Sequence, residues 1–332
     1  MSGRNERPTI KSVAQAAGVS TATVSYVLSG RGGARASGVS AATAERVRDA
    51  AQALGYRPNQ AARTIRTGKT NLLMLSLTMI SDPWALDLSR AVGSLAAEKG
   101  LTAMILADAD WRLALRRQNA DVTFIDGPER EGDRELLRSA ARRQRLMVFS
   151  EVLEPEGFDV VRSLPGSACH RAVNHLLAKN QRVGLLQSTL DSSAGRAVRI
   201  AAYRDGLQQA GLPFRPDYVA DHGLDALSAF NAAIRLLSLP DRPTAIYATT
   251  DYAAIGAIQA AQSLQLRVPQ DVEVIGIGNT TEGEQMTPAL TTVGPMDFFD
   301  TVARFLVERA ADPQAPATVL EFPWELIKRD SA

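Results

Sequence analysis

The chain has 332 residues, 45% of them apolar, which is long enough for two domains with substantial cores. Its one cysteine, Cys169, rules out a disulfide framework, and no Cys/His cluster has metal-ligand spacing, so neither a structural zinc nor any cofactor is expected. The net charge of +1 conceals a split: residues 1–70 hold eleven Lys and Arg against three acids, or +8, which leaves −7 for the rest. A basic head on an acidic body is the electrostatic footprint of a nucleic-acid-binding module joined to something else. The N-terminus carries no apolar segment of signal type, and no apolar run is long enough to span a bilayer, so the expected location is the cytoplasm, on the nucleoid.

The first helix is read from TIKSVAQAAG, where Ile10, Val13, Ala14 and Ala17 share one face, Thr9 is the N-cap and Gly18 follows the end. Ser20 caps a second helix in which Val24, Val27 and Leu28 turn toward the same core, while Thr21, Ala22, Thr23, Ser25 and Tyr26 turn away. Two short helices around a Gly-containing turn read as helix-turn-helix. A third helix starts at the N-cap Ser40, is expected to bury Val47, Ala51 and Leu54, and stops at Gly55. Between the second and third lies SGRGGARASG, with Arg31 and Arg35. The small outward groups of the second helix allow close approach to a major groove, and Ser/Thr hydroxyls suit phosphate contacts.

In RPNQAARTIRTGKTN, Pro58 and Asn59 start a helix and Gly68 stops it, leaving about nine helical residues, too few to be stable alone in water. Ala61 and Ala62 permit a close partner, Arg63, Arg66 and Lys69 suit phosphates, and Ile65 is a branched apolar residue of the kind that wedges between base steps. TGKT at 67–70 is no P-loop, because Arg63 stands where that motif needs glycine, and Thr281 spoils the glycine pattern in GIGNTTEG.

From Leu72 the chain alternates apolar runs with helical stretches. LLMLSLTMI, TAMILA, DVTFID, RLMVFS, RVGLLQS, TAIYATT and VEVIGIG read as strands buried on both faces. Helical patterns fall near 85–99, 130–143, 194–210, 225–238 and 252–265. The fold class is α/β, with parallel sheets covered by helices on both sides, and the length favours two lobes.

TIKSVAQAAGVSTATVSYVL and VSAATAERVRDAAQALGYRPNQAARTIRTGKTN resemble the DNA-binding headpiece and hinge of the lactose-repressor/galactose-repressor (LacI/GalR) family of bacterial transcription regulators. PTAIYATTDYAAIGAIQAAQSLQLRVPQDVEVIGIGN, TPALTTVGP and FPWELIKRDS resemble that family's regulatory domain, which is similar to periplasmic sugar-binding proteins. The resemblance implies a three-helix helix-turn-helix headpiece over 1–57, a hinge helix and linker over 58–71, and a two-lobed effector-binding and dimerisation domain over 72–332. Lobe one would take 72–162 and 294–319, and lobe two 163–292 and 321–330. It places Thr21, Ala22 and Tyr26 at base-reading positions and Ser20, Thr23 and Ser25 near phosphates. Ile65 stands where the family usually has a minor-groove leucine. Tyr56, Ala62 and Arg66, with Arg31 and Arg35 of the loop, complete the expected DNA-contacting set. Tyr26 replaces the usual arginine, which removes a bidentate reader of guanine, and the SGRGGARASG loop is longer than the family's turn.

The cleft departs further from the family. Arg199 matches an effector-contacting arginine, whose fork suits a carboxylate or paired hydroxyls, or serves an interlobe ion pair. Asp251 matches the aspartate of the family's Asn-Asp, Thr250 replacing the asparagine. Gly278-Asn279 stands for a later acidic pair, and RSLPG at 162–166 for an expected Asp-Asn. Losing carboxylates disfavours a conventional neutral sugar. Trp84 and Trp111 line a more apolar pocket or pack in the core or a dimer interface. The expected effector set is Trp84, Trp111, Arg199, Asp251 and Asn279.

The resulting expectation is a homodimeric repressor of a near-palindromic operator in double-stranded DNA, controlled by a small molecule of unknown identity, with no membrane partner. A degenerate cleft under constitutive or partner-protein control is the alternative. A transport binding protein has no use for a basic headpiece. An enzyme is disfavoured because His170, His175 and His222 form no nucleophile or metal arrangement.

Overall fold

A computed structural model describes residues 8–28, 39–57, 64, 67–117, 119–128, 130–188 and 194–332. Of the expected DNA contacts, Arg31, Arg35, Ala62, Ile65 and Arg66 lie outside the described residues. The chain divides into two compact units, Met1–Thr70 and Asn71–Ala332.

The first unit contains α1 (Ile10–Ala17), α2 (Thr21–Leu28) and α3 (Ala41–Ala53). Thr9 and Ser12 cap α1 reciprocally, and Gly18 takes the left-handed conformation (φ 66°) that ends it. Val13, Val24 and Val47 have no exposed surface and close a core with Ala14, Ala17 and Ala51. Leu54 was expected in that core but is 40% exposed. It is the C-cap of α3, past the last turn, where the 3.6-residue period no longer aims a side chain inward. Thr64 and Thr67 are helical, and Gly68 donates to the carbonyl of Thr64 at 2.8 Å.

The second unit is built on eleven strands: β1 (Leu72–Leu77), β2 (Thr102–Ala107), β3 (Val122–Asp126), β4 (Arg145–Phe149), β5 (Asp159–Leu164), β6 (Val183–Ser188), β7 (Val219–His222), β8 (Ala245–Ala248), β9 (Glu273–Ile277), β10 (Thr291–Pro295) and β11 (Val319–Ile327). They run in the order β2-β1-β3-β4-β5-β11-β10-β9-β8-β6-β7, every pair parallel except β10 with β11. The helices are α4 (Pro83–Glu98), α5 (Trp111–Arg117), α6 (Asp133–Ala141), α7 (Gly166–Leu177), α8 (Ala194–Gln209), α9 (Ala226–Leu237), α10 (Asp251–Ser263), α11 (Thr281–Gln285) and α12 (Phe298–Ala311).

Lobe one has one core under α4 and α12, with Leu73, Leu75, Leu88, Phe124 and Val302, and another under α5 and α6, with Trp111, Leu137 and Phe158. Lobe two has matching cores under α7 with α8 and under α9 with α10. TAMILA was expected to be buried on both faces, but β2 is the edge of the sheet and leaves Met104 and Ile105 39% and 42% exposed. β11 belongs to both lobes: Val319–Pro323 run parallel to β5, and Trp324–Ile327 run antiparallel to β10.

Candidate nucleic-acid interface and cleft

In the first unit, Ser20 starts α2 by accepting the amide of Thr23 at 3.1 Å, and the two hydroxyls meet at 2.9 Å. This cap presents the N-terminus of α2 with its dipole toward solvent. Thr21 and Ala22 in the first turn are exposed, and Thr23, Ser25 and Tyr26 are half-buried. The opposite face is anchored by Val24, with Val27 and Leu28 packed against the core. One side of a short helix is thus committed to packing and the other carries only small or hydroxylated groups plus one aromatic. Tyr56 is half-buried against the same core, and Arg46, Arg48 and Arg57 are exposed.

In the second unit, the carboxyl ends of parallel strands from both lobes converge, the usual place for a ligand in an open α/β sheet. Asp82 is the N-cap of α4 and accepts the Trp84 amide at 2.9 Å. Burial pushes its carboxyl up to about 7, the Trp84 amide opposes the rise, Asp251 and Asp126 add to it, and Arg199 opposes it weakly. Trp84 stacks in an aromatic group, 5.3 Å from Phe149 and 5.6 Å from Phe298.

Arg199, on α8, donates from Nη1 to the carbonyl of Thr249 at 3.1 Å and lies 5.5 Å over the Trp324 ring. Its Nε is buried without a partner among the described residues. Asp251 is buried and accepts from the Thr280 amide (2.8 Å), the Thr280 hydroxyl (3.0 Å) and the Thr292 hydroxyl (2.5 Å). Burial raises its pKa against those three bonds. Gly276 is required beside it, because a Cβ there would stand 2.5 Å from Asp251 Oδ1. Asn279 is equally engaged, donating to the Pro295 carbonyl (3.1 Å) and accepting from Arg329 (2.9 Å).

Trp84 and Asp251 stand at the starts of α4 and α10, Asn279 just past β9 and Arg199 in the second turn of α8, whereas Trp111 lies elsewhere. It is 4% exposed in the separate core under α5 and α6. Three groups outside the expected effector set lie at the carboxyl ends of the strands. Besides Asp82, Glu151 lies so close to α8 that a Cβ on Gly195 would come within 2.5 Å of its carboxylate. His222 ends β7, meets the Tyr252 ring edge-on at 5.5 Å, and keeps its Nε2 buried without a partner among the described residues. Burial lowers the His222 pKa, opposed by the Gly223 carbonyl and by Asp221 and Asp225. The signal for all three was their place just at or beyond apolar strand runs, not any motif. The lobes also touch directly, Asp87 of α4 accepting the amide of Thr281 of α11 at 2.8 Å.

Comparison with known proteins gives two family matches: bacterial regulatory proteins of the lacI family over residues 9–59, and a periplasmic binding protein-like domain over 173–332. The chain is 28% identical to catabolite control protein A of Priestia megaterium, over 97% of this chain and 98% of that protein. It is 27% identical to the HTH-type transcriptional repressor PurR of Photobacterium profundum (97% and 98% covered) and to the ribose operon repressor of Escherichia coli K12 (98% and 99%). A lac repressor dimer bound to operator and the anti-inducer ONPF has the same fold, with a TM-score of 0.73 at 24% identity, 98% of this chain and 99% of that one being covered. No described helix is long and apolar enough to cross a membrane.

Proposed function

Because the chain belongs to the lacI family of bacterial regulatory proteins, and so regulates transcription and is no enzyme, we propose that it is a homodimeric cytoplasmic repressor of a near-palindromic operator, released or recruited by a small molecule in the interlobe cleft. The observation that carries the DNA reading is the face of α2: an exposed Thr21 and Ala22 behind a Ser20–Thr23 cap, on a unit that has its own core. Thr21, Ala22 and Tyr26 read bases, and Ser20, Thr23 and Ser25 bind phosphates. Tyr56, Ala62, Ile65 and Arg66, with Arg31 and Arg35, complete the surface. Support for the homodimer comes from the apolar edge strand β2, with Met104 and Ile105 exposed, and from Leu227 of α9, which is 68% exposed.

For the effector, Arg199 supplies the principal contact, since its Nε has no partner among the described residues, whereas Asp251 and Asn279 already have theirs. An effector with an anionic or acceptor group fits this better than a neutral sugar. Trp84 and its aromatic neighbours cover the apolar part. The occupied state of Asp251 and Asn279 also favours a second reading, in which the cleft binds nothing and a partner protein or the operator alone sets occupancy. Lobe geometry sets the spacing of the two hinge segments, so that they fold together on DNA in one state only.

In vitro selection of genomic fragments with the purified protein tests this reading. A two-fold-symmetric half-site pattern is expected, and recovery of fragments with no common site would refute sequence-specific binding. Hydrogen exchange over residues 59–67 should slow on the selected DNA; no change there would remove the hinge mechanism.

A further inference from the structure

Residues 111–145 hold nine arginines against six acids, in a body that is otherwise acidic. Four of them, Arg116 and Arg117 at the end of α5 and Arg142 and Arg143 just past α6, are exposed, and their side chains make no ion pair or hydrogen bond among the described residues. Their neighbours are spent otherwise: Arg112 on Asp110 and Asp133, Arg134 on Glu156, and Arg145 on Asp159. The two helix ends lie together, since Gln144 Nε2 donates to the carbonyl of Leu115 at 3.3 Å.

The strand register places this cluster at one end of lobe one. Leu72 is level with Thr102, Leu73 with Val122 and Val122 with Arg145, so α5 and α6 both finish at the amino ends of parallel strands. This is the end opposite the cleft. It is also where the chain arrives from the first unit, for Asn71 donates its amide to Asp121 at 2.9 Å. Of the carboxylates at this end, Asp159 is buried between Arg145 and Arg309, Asp121 holds Asn71 and Asp312 accepts the Gln314 amide, while Glu98 on α4 beside Lys99 and Glu308 on α12 beside Arg309 stand exposed. A helix C-terminus favours a nearby cation. That preference does not call for four guanidinium groups that make no ion pair or hydrogen bond among the described residues.

We propose that this arginine end of lobe one is a second DNA surface, which takes the phosphates of the duplex flanking the site held by the first unit. The proposal rests on the DNA-binding reading above and adds to it a contact made by the regulatory domain. Guanidinium forks suit phosphate oxygens. Four unanswered ones, at the end from which the DNA-binding unit is tethered, form a sequence-independent contact that lengthens the footprint without changing the base code.

The test uses the full chain and a selected site carried in duplexes of about 20 and about 50 base pairs, with affinity followed against salt. Wild type should bind the longer duplex several-fold more tightly and with a steeper salt dependence, by about 0.9 in the log-log slope for each added phosphate contact. The variant with Arg116→Gln, Arg117→Gln, Arg142→Gln and Arg143→Gln should bind both lengths equally and as wild type binds the short one, whereas lysine at the same four positions should keep the length effect. Should the fourfold variant melt early, the Arg142→Gln/Arg143→Gln double variant is expected to lose part of the slope difference. A length ratio and slope unchanged in the glutamine variants would overturn the proposal, as would a change in sedimenting mass with no change in DNA binding, which would assign the patch to a protein partner. If wild type selects no DNA at all, both readings fall; if it selects a site but gains nothing from length, only this one does.

Discussion

The first unit and the cleft handle polar groups in opposite ways. In the first unit, three apolar side chains with no exposed surface, Val13, Val24 and Val47, hold the helices, and Thr21 and Ala22 on α2 are left facing solvent. In the cleft, Asp251 accepts three hydrogen bonds from the protein and Asn279 bonds both Pro295 and Arg329. A surface that reads a rigid polyanion works by exposing groups already in place. A cleft that closes on a small molecule depends as much on the network that fixes its strand ends as on the groups that touch the ligand.

Breaking the first unit gives the largest expected effect. Val47→Asp places a charge in a core too small to absorb it, at a cost of several kcal/mol. DNA binding should vanish while calorimetry still shows the body melting at its wild-type temperature; a lowered body transition would show that the two units do not fold separately. Next comes the cleft. Asp251→Ala strips the acceptor from two hydroxyls and an amide, and should destabilise the body by about 3 kcal/mol, read as a fall of roughly 6–12 °C in its melting temperature. A fall below a degree would mean that the network is ornamental.

Ile65→Ala sharpens the contrast from the DNA side. Specific affinity should drop about tenfold or more, equivalent to about 1.4 kcal/mol, with little loss on nonspecific DNA; equal losses on both would exclude a wedge. Asp82→Asn probes a carboxyl that burial pushes up to about 7. A folded-state pKa raised to about 7 means that the protonated form is favoured in the native protein, so stability from this group is present at acid pH and is lost as pH rises from about 4 through 7. Asparagine still caps the helix, so the variant should melt at a temperature independent of this transition and above wild type at pH 8; parallel pH profiles would place the carboxyl in solvent. The smallest effect is expected from Arg31→Gln with Arg35→Gln: the salt slope flattens by about 0.9 for each phosphate contact removed, and an unchanged slope would make the long loop a spacer.

The helices of the first unit were legible because each rule acts locally: Thr9 and Ser40 cap, Gly18 terminates, and Val13 and Val47 recur on one face. Leu54 escaped because the period was carried onto the C-cap itself, beyond the last helical residue. In the body, central strands such as Leu72–Leu77 and Glu273–Ile277 are apolar enough to declare themselves, but Asp159–Leu164 and Val319–Ile327 mix charge with apolar residues. Asp159 is intelligible only once Arg145 and Arg309 arrive from 14 and 150 residues away. Trp111, which by its place after a strand suits a pocket or a core equally, turns into the core under α5 and α6. Asp82 carries no sequence signal and His222 reads only as a histidine without a nucleophile or metal partner, because the character of both comes from burial, which no short window of sequence records.

The shared strand β11 makes the two lobes mechanically a single part. Its first five residues are bonded to one sheet and its last four to the other, with Pro323 at the changeover. Any rotation of lobe against lobe twists this one ribbon, and Pro323, having no amide hydrogen, gives up no donor bond when the ribbon turns there. A rotation of one lobe against the other would therefore be felt first where this strand passes from one sheet to the other.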